Sequence, residues 1–74
     1  MRIKSIEELT IKEMISAIRI GYKLNQTELA TKLKTSQSNV SRWEFGAVEP
    51  GLIDAHQIKE LYKTLPDDKK YKEE

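Results

Sequence analysis

The sequence predicts an all-α fold, four to five short helices gathered into one small domain. Three observations carry this. Apolar residues recur every three to four positions in four separate segments, and no strand-like alternation competes with them. Three of those segments open on a helix N-cap signal, and two close on a glycine or a proline. With 74 residues the chain can build one core and not two, so nearly every apolar side chain has to point inward.

The first long helix opens at Thr10-Ile11-Lys12-Glu13. Its threonine hydroxyl can take a backbone N–H while the glutamate at the third helical position reaches back. From there Ile11, Met14, Ile15, Ile18 and Tyr22 fall on one face. Ser5-Ile6-Glu7-Glu8 is a second, weaker cap, so residues 1–10 form either an arm or an extra helical turn. Within that arm Ile3, Ile6 and Leu9 form an apolar strip expected to pack on the last helix.

The second helix opens at Asn25-Gln26-Thr27-Glu28, again a capping box, with Leu29, Ala30 and Leu33 on its inner face. A helix of about eight residues is not stable alone in water and has to be held by packing. Ser36 caps the third helix, which turns Val40 and Trp43 inward and stops at Gly46. Only Lys34, Thr35 and Ser36 separate the two, and so short a link favours a sharp crossing. After the turn Glu49-Pro50-Gly51, a fourth helix aligns Ala55, Ile58, Leu61, Tyr62 and Leu65, and Pro66 ends it. Residues 11–66 thus form the domain, and the charged segment 67–74 is expected to fray.

Composition narrows the function classes. There is no cysteine, so no disulfide and no zinc thiolate, which suits a reducing cytoplasm. The N-terminal residues lack the apolar stretch of a signal peptide, and no apolar run nears the ~20 residues a membrane span requires. His56 is the single histidine; Asp54 lies on a different helical face, and Glu60 could make only an exposed pair with it. Neither a glycine-rich phosphate loop nor a metal-ligand cluster occurs, so no enzyme, metal or cofactor is expected.

Charge is unevenly spread. Arg19, Lys23, Lys32, Lys34 and Arg42 face only Glu28 in the middle of the chain, a local +4 in a molecule of net charge +1. A polyanion would see that zone although the total nearly cancels.

The segment QTELATKLKTSQSNVSRWE, residues 26–44, resembles the helix-turn-helix of the lambda-repressor-like family, which includes the phage Cro and CI repressors. LNQTELA, SQSNVSRWE-x-G and the following Glu49-Pro50 carry the likeness, which extends by pattern over residues 11–65. The resemblance implies a compact DNA-binding domain with a recognition helix at 37–45. It implies that Ala30 is small because two helices cross beside it, and that Arg19 and Glu44 form a structural ion pair. By the same carry-over Gln37, Ser38 and Arg42 face base edges in the major groove, and Gln26 anchors the backbone. The chemistry agrees, since Gln can make two bonds to adenine and Arg two to guanine. Asn39 and Ser41 rank second for base or phosphate contact.

Three departures stand out. Lys23 and Lys34 occupy turn positions where the family commonly has glycine; each turn either adjusts or absorbs a cost of ~1 kcal/mol, and each lysine can also serve a phosphate. Phe45 replaces a polar, backbone-contacting residue and falls on the outward face, where it could touch DNA, pack under the next loop or join a protein interface. The charged tail offers no apolar dimer element, which leaves a homodimer without an evident contact.

The leading expectation is therefore a cytoplasmic, sequence-specific regulator of phage or bacterial Cro/repressor type whose partner is double-stranded DNA. The alternative is a protein-interaction module, an anti-repressor or modulator, that binds a second regulator protein through the same face. Neither reading involves a membrane.

Overall fold

Helix starts are settled by local hydrogen bonds. In the computed structural model, which describes residues 2–73, Thr10 Oγ1 accepts from the Glu13 N–H at 3.1 Å and Glu13 Oε1 accepts from the Thr10 N–H at 2.9 Å. This box opens α1, Ile11–Tyr22. Asn25 and Glu28 repeat the exchange at 2.7 and 2.9 Å and open α2, Gln26–Leu33. Ser36 Oγ accepts from the Asn39 N–H at 3.2 Å and opens α3, Gln37–Phe45. Each cap satisfies N–H groups that a helix start leaves without a partner. The fourth helix, α4, covers Leu52–Lys63.

Ser5 and Glu8 cap a short 3-10 turn, Ile6–Glu8, before α1 rather than lengthening it. A second 3-10 turn, Asp67–Lys69, follows α4.

The core is one cluster drawn from every helix. It contains Leu9, Met14, Ile15, Ala17, Ile18, Leu29, Ala30, Leu33, Val40, Trp43, Ile58, Tyr62 and Leu65. The short α2 packs against α3, and α1 packs against both α3 and α4. Its three inward side chains, Leu29, Ala30 and Leu33, are all buried, which is what holds a helix too short to stand alone. No helix among the described residues is long and apolar enough to cross a membrane.

Both three-residue turns keep the left-handed geometry despite their lysines. Lys23 closes α1 at φ 56° and Lys34 closes α2 at φ 57°, so the fold absorbs the cost at both positions. In each case the next residue's N–H turns back to a helix carbonyl: Leu24 to Arg19 at 2.9 Å, and Thr35 to Ala30 at 2.9 Å. Gly46 closes α3 the same way at φ 84°. Gly21 has a different role. A Cβ there would come within 2.5 Å of the buried Leu65 side chain, so the bare backbone lets the chain after α4 lie against α1.

Within the charged segment 67–74, expected to fray, the described residues meet the N-terminal arm. Residues Lys72–Glu73 form a strand, β2, antiparallel to β1, Arg2–Ile3, with Arg2 opposite Glu73 and Ile3 opposite Lys72. Tyr71 supplies the anchor: it packs half-buried on the core, its N–H donates to Tyr62 Oη at 3.0 Å, and its carbonyl accepts from the Lys4 N–H at 3.2 Å. The Lys4 ammonium lies 5.5 Å from the Tyr71 ring centre. The N-terminal arm thus pairs with the tail while Leu9 enters the core. Two-residue strands are too short to show a period, which is why no alternation reveals them.

Two inner-face expectations shift. Tyr22 is half-exposed at the end of α1, where its hydroxyl bonds the Thr64 hydroxyl. Ala55 is only half-buried, because the first turn of α4 stands clear of the core.

Candidate nucleic-acid interface

The capped start of α3 and its two buried anchors decide which way the helix faces. Val40 is fully buried and Trp43 nearly so, which turns Gln37, Ser38, Arg42 and Phe45 outward into solvent. Asn39 and Ser41 are half-buried at the flanks. The first turn of α3 carries no acidic residue, so the positive end of its dipole is not neutralised there.

The polar side chains of α1, α2 and α3 meet in one connected row. Arg19 Nη1 donates to Glu44 Oε1 at 2.5 Å, and its Nε donates to the Leu24 carbonyl at 3.1 Å. Gln26 Nε2 donates to the same Glu44 oxygen at 2.9 Å. Gln37 Nε2 donates to Gln26 Oε1 at 2.5 Å. The row runs from the half-buried ion pair to exposed Gln37 at the tip of α3. Desolvation offsets much of the attraction in such a pair, so its main effect is to fix α3 against α1.

A second, shorter row supports Arg42. Asn39 Nδ2 donates to Thr35 Oγ1 at 2.9 Å, and Asn39 Oδ1 accepts weakly from Arg42 Nη1 at 3.4 Å. Asn39 therefore steadies its neighbours in the free protein. Thr35 escaped the sequence reading; its only signal is the four-residue spacing to Asn39 across the cap. The Gln26–Glu44 bond escaped it as well, since eighteen residues separate the partners and no local pattern links them.

Lys23 and Lys34 are exposed at the turns after α1 and α2. Phe45 is 82% exposed, and it does not fold under the following loop. Val48, Leu52 and Ile53 follow it, also exposed.

A protein-family model described as Helix-turn-helix matches residues 15–68, from the middle of α1 to the turn after α4. No curated protein and no solved structure matches the chain. The matched span contains α2, its left-handed turn and α3 entire, together with the Arg19–Glu44 tie that fixes α3 in place. The chain belongs to the lambda-repressor-like, Cro/CI-type helix-turn-helix family of DNA-binding regulators.

Proposed function

We propose that this protein is a sequence-specific regulator of the phage Cro/repressor type that lays α3 in the major groove and occupies an operator so as to exclude polymerase. The observation that carries the reading is the division of α3. Val40 and Trp43 are buried, Glu44 is tied to Arg19, and Gln37, Ser38 and Arg42 stand free of the core. Gln37 and Arg42 are the side chains suited to adenine and guanine edges, and Ser38 adapts to either. Gln26 holds a phosphate at the start of α2, and Lys23 and Lys34 add backbone charge. Asn39 and Ser41 act from the flanks, Asn39 through Arg42 and Thr35. The protein works where the chromosome is, in the cytoplasm, with double-stranded DNA as partner and no cofactor.

The test is selection from random duplex DNA by the chain alone. Enrichment of one motif, with binding that weakens steeply as salt rises, is the expected result. Arg42→Ala should reduce specific affinity by about tenfold or more and relax the preference at one base pair. Equal loss on all sequences would remove Arg42 from base reading, and no enriched motif would overturn the proposal.

Phe45 favours a second reading. An aromatic 82% exposed beside Arg42, followed by exposed Val48, Leu52 and Ile53, has the composition of a protein contact. On this reading the chain docks a second regulator, or another copy of itself, through the end of α3. Co-purification with a second regulator and no DNA shift by the chain alone would favour it.

A further inference from the structure

Glu44 ends a row of hydrogen bonds whose direction is set by charge. A carboxylate has no proton to give, so Glu44 Oε1 can only accept, and it accepts from Arg19 and Gln26 at 2.5 and 2.9 Å. Gln26 must therefore turn its NH2 toward Glu44 and its carbonyl oxygen away. That oxygen lies 2.5 Å from Gln37 Nε2, which must then be the donor. The polarity of both amides follows from the charge on one buried-side residue. It does not depend on any preference of the glutamines themselves.

We propose that Glu44 is a positioning residue for base choice: acting through Gln26, its charge fixes the amide of Gln37 in the orientation that favours adenine over guanine. The proposal rests on the reading that Gln37 meets a base edge. In the fixed orientation Gln37 has one N–H and its carbonyl oxygen left for a ligand. Adenine offers an acceptor, N7, and a donor, N6–H2, in the major groove, and the two sets match. Guanine offers two acceptors, N7 and O6, and the carbonyl oxygen of Gln37 would face one of them without a proton between. With the amide reversed, Gln37 would present two N–H groups and the preference for adenine would go. Gln26 keeps a second amide hydrogen, so holding the row does not take it from a phosphate.

The experiment measures the adenine-to-guanine binding ratio at each position of the selected duplex for the wild type and four variants. Gln37→Ala first identifies the base pair that Gln37 reads. At that pair the wild type should favour adenine by about tenfold. Glu44→Gln, whose amide can donate as well as accept, should bring that ratio close to one and leave the Arg42-dependent position unchanged. Gln26→Ala cuts the row without touching the ion pair and should do the same, which keeps the test valid if Glu44→Gln folds poorly. Arg19→Met loosens α3 but keeps the Glu44 charge and Gln26, so affinity should fall on all sequences while the adenine preference is retained. If Glu44→Gln and Gln26→Ala lower affinity equally for all bases, or keep the ratio, the row has no part in base choice and the proposal is overturned. If Gln37→Ala changes no position, the base-reading role of Gln37 fails first, and the proposal with it.

Discussion

The Arg19 guanidinium lies 2.5 Å from the Glu44 carboxylate and ties the first helix to the third, with the two side chains 29% and 20% exposed. Breaking one side of this pair leaves a partly desolvated charge without its counterion. Arg19→Met should therefore cost about 1–3 kcal/mol, less than the loss at a fully buried pair. Arg19→Met with Glu44→Met should cost less than Arg19→Met alone, because the orphaned carboxylate is gone. Urea unfolding of the two variants checks the order; a double variant weaker than the single would reject this account.

Lys23 and Lys34 sit at φ 56° and 57°, where a Cβ crowds the following carbonyl. Glycine relieves that crowding but costs entropy on folding, so the net gain is smaller than the strain. Lys23→Gly and Lys34→Gly should each stabilise the fold by roughly 0.5–1 kcal/mol. Thermal unfolding at moderate salt measures this, and a loss at either site would contradict the left-handed turn. If Lys34 also serves a phosphate, Lys34→Gly should separate the two properties, raising stability while weakening DNA binding and its salt dependence.

At Tyr71 the backbone N–H of the tail donates to a buried hydroxyl, that of Tyr62. Tyr62→Phe removes an acceptor without removing ring packing, so the Tyr71 N–H loses its partner. The expected cost is about 1 kcal/mol. Hydrogen exchange should quicken at Tyr71 and through the β1–β2 pairing, while α2 and α3 stay protected. Uniform quickening across all helices would mean that the tail unfolds only with the whole domain.

The arm should respond to acid. Hydrogen bonds from the Arg2 side chain, then from Ser5, bring the Glu8 carboxyl from its ordinary 4.5 down to about 2. The Thr10 backbone N–H and then Lys4 lower Glu13 in the same direction. A folded-state value below the unfolded one contributes stability above the unfolded value. That contribution is lost as pH falls through the folded value. For Glu8 the window runs from about 4.5 down to about 2, and the 3-10 turn at Ile6–Glu8 should loosen across it. Arg2→Ala should move the Glu8 midpoint back up toward 4.5 in a carboxyl NMR titration; a wild-type midpoint already at 4.5 would refute the bond.

Much of the scaffold was legible because its signals are local. Thr10 with Glu13, and Asn25 with Glu28, place two helix starts within three residues each, and Gly46 marks a stop. Val40 and Trp43 orient α3 by spacing alone, so the outward position of Gln37, Ser38 and Arg42 could be read from a helical wheel. Tyr71 could not be read in this way. An aromatic among seven charged residues looks solvated until its packing on the core and its bond to Tyr62 are known.

The sequence by itself determined the helices, their caps, the inward face of α3 and the family to which the chain belongs, since each depends on residues a few positions apart or on a contiguous motif. Tertiary structure alone decided what the polar side chains do to one another. Glu44 faces both Arg19 and Gln26, Gln26 faces Gln37, and the arm meets the tail, only because packing of the apolar core brings separate segments together. Hydrogen-bond direction is a property of that meeting: a carboxylate imposes it on an amide only when the fold sets them within 3 Å of each other.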